Sequence, residues 1–436
     1  MSNYSKQVKR KLQLSINHIV RNKEMFVKQP KKDFTRNRKL SFKTMINIFL
    51  SLGGKDIGSE LLEFLPPSCS VTVSGFTQQR DKLLPETFKA LLTDFNARVK
   101  TYESFKGFRL LAVDGSKLSI SYNPKNKDSF FKTKRNTKGS NRLHINALYD
   151  VLNKVYLDAI VQPGRKLNEN QAVVQMINQS TLNKKVILLA DRGYESYNTF
   201  AHLIEKEWKF LIRVKDVNSK SILSSFDLSD SGEFDRIITR IFTRKRTKEV
   251  LSNPDVYKTM FSNGPFDFID NNKNLFYPMT FRVVRVALGD GSFQCFVTNL
   301  DADDFTLAEI RELYHLRWGI ETSFRDIKHK LGLKYLHSKK VEHIIQEVFA
   351  KMVMYNFCSI ITSHVMIQKK ARKYAYQVNF SKAITICKKF FKLRNNAHLP
   401  DVEAQIQQYI LPIRKGRSSP RIAVKREFVC FNYRLS

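Results

Sequence analysis

Phe108-Arg-Leu-Leu-Ala-Val-Asp114-Gly-Ser116 is a short apolar run that closes on an aspartate, and Lys185-Val-Ile-Leu-Leu-Ala-Asp191-Arg-Gly193 repeats the arrangement further along. Each run is too short for a helix and carries the unbroken apolar pattern of a buried strand. Between them, His144–Val151 and Lys154–Val161 read as two strands joined by a turn at Asn153-Lys154, and Glu169–Thr181 reads as a helix. A helix near Asn198–Lys206 and a strand Lys209–Val214 follow. Strand and helix patterns in this order predict an α/β sheet. A carboxylate at the carboxyl end of a sheet strand lies where such folds place their sites. Taken singly, each aspartate reads equally well as a satisfied turn residue.

Outward from these runs the patterns change. Residues 1–100 read as helical: Ser41 caps a segment with Met45, Ile48, Phe49 and Leu52 at helical spacing, and Gly53-Gly54 ends it. A helix over Ile57–Phe64 precedes Pro66-Pro67, and another starts near Ser74 and carries Gln78, Gln79 and Arg80. Those three side-chain types suit base edges in a major groove, and a solvated helical cap fits as well. Residues 216–292 hold short alternating stretches such as Phe281–Ala287 and read as an inserted strand-rich module. Phe293–Leu300 returns to a buried strand, Thr306–Leu331 reads as one long helix, and Val341–Ile367 as a largely apolar one. The expected division is a helical DNA-binding region over 1–100, a core over 101–215 and 293–370 split by the insertion, and a basic region over 371–436.

The 436-residue chain carries 75 Lys and Arg against 40 Asp and Glu, a net charge of +35. A field of this sign, spread along most of the chain, suits a long polyanion, because neutralising phosphates releases counterions. A base composition favouring lysine explains many of the lysines but not the shortage of acids. The basic stretch Lys125–Arg142 reads as a loop facing DNA or solvent, and Arg414, Arg417 and Arg421 are candidates of the same kind. Cys69, Cys295, Cys358, Cys387 and Cys430 form no CxxC pair, which argues against structural zinc or a disulfide framework. The basic start, MSNYSKQVKRKLQL, leads into no apolar signal core, and no apolar run reaches about 18 residues, so a cytoplasmic protein without a membrane partner is expected.

The long helix brings the chemistry into view. Thr306 with Glu309 makes a capping box, and Gly332 is a plausible stop. Leu313, Ile320, Phe324, Ile327 and Leu331 form an apolar stripe. Tyr314, Arg317, Glu321, Arg325 and Lys328 fall within an arc of roughly 80° beside it. One acid flanked by three cations and a hydroxyl suits a phosphodiester. Read without the aspartates, the same face is a solvated one with ion pairs Arg317–Glu321 and Glu321–Arg325. Joined by Asp114 and Asp191, Glu321 completes three hard oxygen ligands for Mg²⁺ or Mn²⁺. Two such ions about 3.5–4 Å apart activate an attacking oxygen and stabilise a leaving one.

Tyr314, Arg317, Glu321 and Lys328 also match the signature Y-x2-R-x3-E-x6-K, and the chain resembles the DDE transposases of bacterial insertion sequences, the IS-four branch. Ala112–Ser116, Ala190–Tyr194, Thr298–Leu300 and Arg317–Glu321 resemble that family too, and the likeness covers roughly residues 34–425. The resemblance implies an RNase H-like catalytic core bearing Asp114, Asp191 and Glu321. It implies cut-and-paste transposition, with metal-dependent cleavage and strand transfer at terminal inverted repeats by a homodimer acting on end and target DNA, on a bacterial nucleoid. Tyr314, Arg317 and Lys328 would hold the end phosphate, with Arg192 and Arg325 as supporting candidates. One departure is that the best-described relative stacks a flipped base on a tryptophan in its inserted module, whereas Trp208 and Trp318 both lie outside 216–292, leaving Tyr277, Phe276 or another aromatic of the insertion. Two rival readings are a catalytically silent, domesticated DNA-binding protein and a simple metal-dependent nuclease.

Overall fold

Helices α1 (Tyr4–Arg21), α2 (Phe42–Ser51), α3 (Ile57–Phe64), α4 (Val73–Arg80) and α5 (Glu86–Arg98) precede the sheet in this computed structural model. It describes residues 4–414 apart from 100–102, 134–135, 183–184, 220, 262–263, 271–274, 289–290, 368–372 and 394–398. Arg417, Arg421 and Cys430 therefore lie outside the described residues. Local chemistry sets the helix starts: Ser41, Asp56 and Thr72 each accept a backbone N–H three residues on, closing the first turns of α2, α3 and α4. Along α1, Val8, Leu12, Ile16 and Ile19 recur at helical spacing and are buried. The helices α1–α5 share one apolar core with the sheet and with helices at the other end of the chain.

The chain continues through β1 (Arg109–Ile120), β2 (Phe130–Thr133), β3 (Asn136–Asp150), β4 (Val155–Pro163), α6 (Glu169–Gln179), β5 (Val186–Ala190), α7 (Tyr197–Glu205) and β6 (Lys209–Val214). Next come β7 (Phe234–Thr243), α8 (Lys248–Ser252), β8 (Tyr257–Thr259), β9 (Phe276–Ala287) and β10 (Phe293–Thr298). The last part holds α9 (Leu307–Leu316), α10 (Trp318–Arg325), α11 (Val341–Ser363), β11 (Tyr376–Val378), α12 (Phe380–Lys392), α13 (Val402–Gln407) and β12 (Ile410–Pro412). The result is a mixed α/β fold around a ten-stranded sheet of order β2-β3-β1-β5-β6-β10-β9-β7-β8, with β4 on β3. β1, β5 and β6 run parallel, and β3, β4, β9 and β10 pair antiparallel. Leu110 and Ala112 face one core, shared with α10 and α11, while Leu111 and Val113 face the other, shared with α6 and α7. Helix α11 is long and apolar enough to cross a membrane, but 94% of its most apolar window is buried inside the fold.

Four expectations change. β1 does not stop at Val113: antiparallel pairing with β3 carries it through Asp114 to Ile120. The basic stretch 125–142 is not a loop throughout, because β2 and the start of β3 form a hairpin there. The strands of 216–292 extend the central sheet instead of standing apart, since β9 pairs with β10 and β7 with β9. The long helix is broken at Arg317 and finishes as a π turn, Asp326–Lys330, before Gly332 at φ +81°.

Arg80 is the clearest correction among the candidate site residues. It is 1% exposed and cannot reach a DNA groove. Its guanidinium donates to Glu347 at 2.8 Å, the His343 carbonyl at 2.6 Å and Gln346 at 3.2 Å, pinning α4 to α11. Burial pushes the Glu347 carboxyl up, but His337 and Arg80 outweigh it and hold it down to about 2. Removing one member strands a buried charge, so Arg80→Met is expected to cost about 3–5 kcal/mol in urea unfolding. Because the Glu347 carboxyl is depressed, its contribution is present above pH 4.5 and fades as pH falls toward 2. Wild type and variant should therefore converge in acid.

Candidate active site

Register places the two aspartates. Val113 pairs with Ala190 as the last parallel pair between β1 and β5, so Asp114 and Asp191 leave neighbouring strands at the same level. Side chains alternate along a strand, and Asp114 and Asp191 fall on the face of Ala112 and Leu189, toward α10. Each carboxylate accepts the next residue's backbone N–H at 2.8 Å, from Gly115 and Arg192 respectively. β1 continues, but β5 ends, and the sheet opens beside Asp114.

The helical residues meet this edge. Arg317 donates to Glu321 at 2.7 Å and reaches to 3.6 Å from Asp114. Tyr314 donates to Asp191 at 3.1 Å. Lys328 sits in the π turn and donates to Ser116 Oγ at 2.8 Å and the Lys117 carbonyl at 2.6 Å. π turns re-aim side chains and recur at functional sites. The four signature residues thus contact β1 and the end of β5, or one another. Sequence reasoning missed Arg213, whose guanidinium stands 3.7 Å from Asp191. It also missed Ser116, although that residue lies inside the quoted first run.

The electrostatics are unusual for a surface helix. Burial raises Asp114 to about 6, and the nearby Glu321 and Asp191 charges add to it, against the Gly115 N–H and Arg317. Burial opposes the charge on Arg317, yet Tyr314, Glu321, Asp114 and Asp191 raise its pKa. Arg317 is 3% exposed, and its Nε and Nη1 donate to no acceptor among the described residues. A buried guanidinium with idle donors is costly unless something accepts from it. Glu321 and Asp191 are each about one-third exposed, so the carboxylates open to solvent.

The donor set suits a hard divalent cation: three carboxylates converge, and one is already reluctant to carry charge without a further counter-ion. Among the described residues no three acidic, histidine or cysteine side chains yet stand at metal-binding distance of one another. Arg317 lies between Asp114 and Glu321.

The glycines after the aspartates are tightly packed. A Cβ on Gly115 would lie 2.2 Å from His144 Nε2 and 2.6 Å from Glu169 Oε1, and one on Gly193 would lie 3.0 Å from Glu169 Oε2. His144 and Glu169 are themselves 3.0 Å apart. One imidazole–carboxylate pair therefore buttresses both strand ends. Gly115→Ala is expected to cost about 1–3 kcal/mol in thermal unfolding through overpacking, and removing the obstructing ring with His144→Ala in the same chain should recover part of it. No recovery would mean that the pair is not what Gly115 accommodates.

The remaining candidates scatter. Arg192 and Arg325 are exposed. Gln78 is exposed and Gln79 half-buried on α4, the latter accepting from Lys82. Trp208 is fully buried, whereas Trp318 is 45% exposed with the Arg317 guanidinium 5.7 Å from its ring. In the 216–292 segment, Tyr277 is tied to Glu205 at 2.8 Å, and Phe276 is exposed.

A cryo-EM structure of the piggyBac transposase synaptic complex with hairpin DNA is similar to this chain at a TM-score of 0.45 and 10% identity, over 96% of this chain and 85% of that one. No curated protein matches it. The family model of the transposase DDE domain matches residues 105–357, a span that takes in both aspartates, the glutamate and every residue that touches them. By that match the chain belongs to the transposase DDE domain family.

Proposed function

We propose that the chain is a cut-and-paste transposase of the IS-four type with an RNase H-like core, cleaving and joining DNA at its element's terminal inverted repeats. The observation that carries this reading is the meeting of Asp114 and Asp191, at the ends of adjoining strands, with Tyr314, Arg317 and Glu321 of the broken helix. Asp114, Asp191 and Glu321 would hold Mg²⁺ or Mn²⁺, as a pair of ions, and bound ions supply charge for the attacking and leaving oxygens.

The protein's own residues do the positioning. Tyr314 offers its hydroxyl at Asp191, Arg317 supplies positive charge between Asp114 and Glu321, and Lys328 offers an ammonium held beside Ser116. Together they orient a terminal phosphate against the carboxylates for in-line attack. The outward side of α4, with Gln78 and Gln79, supports a role for the N-terminal helices in reading the repeat. Because α1–α5 share their core with α11, that role is testable only in the full chain.

The experiment supplies labelled duplex carrying the inverted repeats that flank the coding sequence, with Mg²⁺ and unlabelled target DNA. Ends joined to target support transposition. Cleaved ends that are never joined make the protein a nuclease, and binding without cleavage makes it a DNA-binding protein only.

A further inference from the structure

We infer that the cleft between residues 31–40 and the end of α4 is a second grip on duplex DNA, taking backbone phosphates away from the three carboxylates. The inference rests on the DNA-processing reading above. Lys31, Lys32, Arg36, Arg38, Gln79 and Lys82 line this cleft. Lys31, Lys32, Arg36 and Arg38 are exposed. None of those four pairs with a carboxylate among the described residues, whereas neighbouring cations do: Lys28 meets Glu342 at 2.7 Å and Lys340 meets Asp81 at 2.7 Å.

The acid that the sequence places here, Asp33, also lines the cleft but is almost fully buried. Asp33 is 5% exposed, and its carboxylate accepts the Gln29 backbone N–H at 2.9 Å. The cleft thus presents four exposed cations and one nearly buried acid. Its backbone is also held in a costly shape. Phe34 adopts φ +55°, a left-handed conformation rare for a bulky residue. Lys23 donates to the Phe34 carbonyl at 3.0 Å, the Phe34 ring packs edge-on against Phe42 at 5.4 Å, and Lys82 stands 5.8 Å over it. A solvated charge run needs no such fixing.

A concavity with four exposed cations that meet no carboxylate among the described residues, beside a helix edge bearing Gln78 and Gln79, has the division of labour of a duplex-binding surface. Phosphate contacts fix position, and the adjoining polar side chains face the groove.

The test uses the full chain with Lys31→Gln, Lys32→Gln, Arg36→Gln and Arg38→Gln combined. These side chains are exposed, so the fold should persist, as circular dichroism will verify. Anisotropy titrations with terminal-repeat duplex across salt concentrations should show affinity reduced on the order of 10²-fold at 0.15 M. The salt slope should be shallower by about 3–4, near 0.9 for each phosphate left without its cation. The control removes exposed cations from α12 instead, as Lys382→Gln, Lys389→Gln and Lys392→Gln, and should change the slope little. An unchanged slope in the cleft variant, or a loss per charge equal to the control's, overturns the assignment. Wild-type cleavage and joining of the same duplex, measured alongside, judges the transposase reading separately. A cleft variant that binds normally while wild type cleaves and joins would overturn the cleft alone.

Discussion

Asp114→Ala, Asp191→Ala and Glu321→Ala should each reduce strand cleavage on the order of 10⁴-fold, the scale seen when one member of a catalytic set is removed, while binding to the terminal repeat stays near wild type. The expectation follows from where the carboxylates stand. Asp114 and Asp191 leave paired strands at one level, and Glu321 reaches the same edge through Arg317. Asp191 and Glu321 are each about one-third exposed, so neither anchors the fold. Removing Asp114 even relieves a carboxyl that burial and two neighbouring acids hold up at about 6. Thermal stability of Asp114→Ala near neutral pH should therefore match or exceed wild type without added metal. The raised pKa fixes the sign: the ionised form is the disfavoured one in the fold, so the relief is absent in acid, grows as pH rises from the ordinary value of 3.8 to about 6, and is full above that. Cleavage assays under Mg²⁺ and Mn²⁺ decide the matter. Any variant that cleaves at the wild-type rate is not part of the site.

Arg317→Ala should leave first-strand nicking detectable but lower release and joining by about 10³–10⁵-fold, the range for an arginine that stabilises charge on a transferring phosphoryl group. Arg317→Lys should recover little, because an ammonium has no bidentate fork. Lys328→Ala should fail at the same late steps and less severely, since its ammonium already has Ser116 and the Lys117 carbonyl as partners. A time course that resolves nicked, released and joined products from labelled ends measures this directly. Equal loss at every step, with metal affinity lost too, would make Arg317 a support for Glu321 and not a ligand of the DNA end.

Several of these features can be seen in the chain before it folds. The runs ending at Asp114 and Asp191 show as strands because both are buried on two faces, and the capping box at Thr306 and Glu309 forms as expected. The helical arc that collects Tyr314, Arg317, Glu321 and Lys328 depends only on helix geometry. It survives the break at Arg317 and the π turn because both are small departures from that geometry.

What stayed hidden depends on partners distant in sequence. Arg80 looks like a surface reader until Glu347 is brought beside it across 267 positions. Register is equally nonlocal: the alternation of Leu118 and Ile120 with Lys117 and Ser119 marks a strand continuing past Asp114, but only β3 gives it a partner. Phe281–Val286 are buried at every position, the pattern of an interior strand, which is how β9 joins the main sheet. Arg282 and Arg285 disguise that pattern until Asp235 and Asp216 neutralise them.

On the proposed reading, Asp114, Asp191 and Glu321 together hold the metal that drives cleavage. Mn²⁺ binding followed by electron paramagnetic resonance, on the full chain with a terminal-repeat duplex, tests it without reliance on activity. Wild type should bind Mn²⁺ saturably at neutral pH, and Asp114→Asn, Asp191→Asn and Glu321→Gln should each weaken that binding severely while keeping the duplex bound. Unaltered Mn²⁺ affinity and stoichiometry in all three variants would contradict the account.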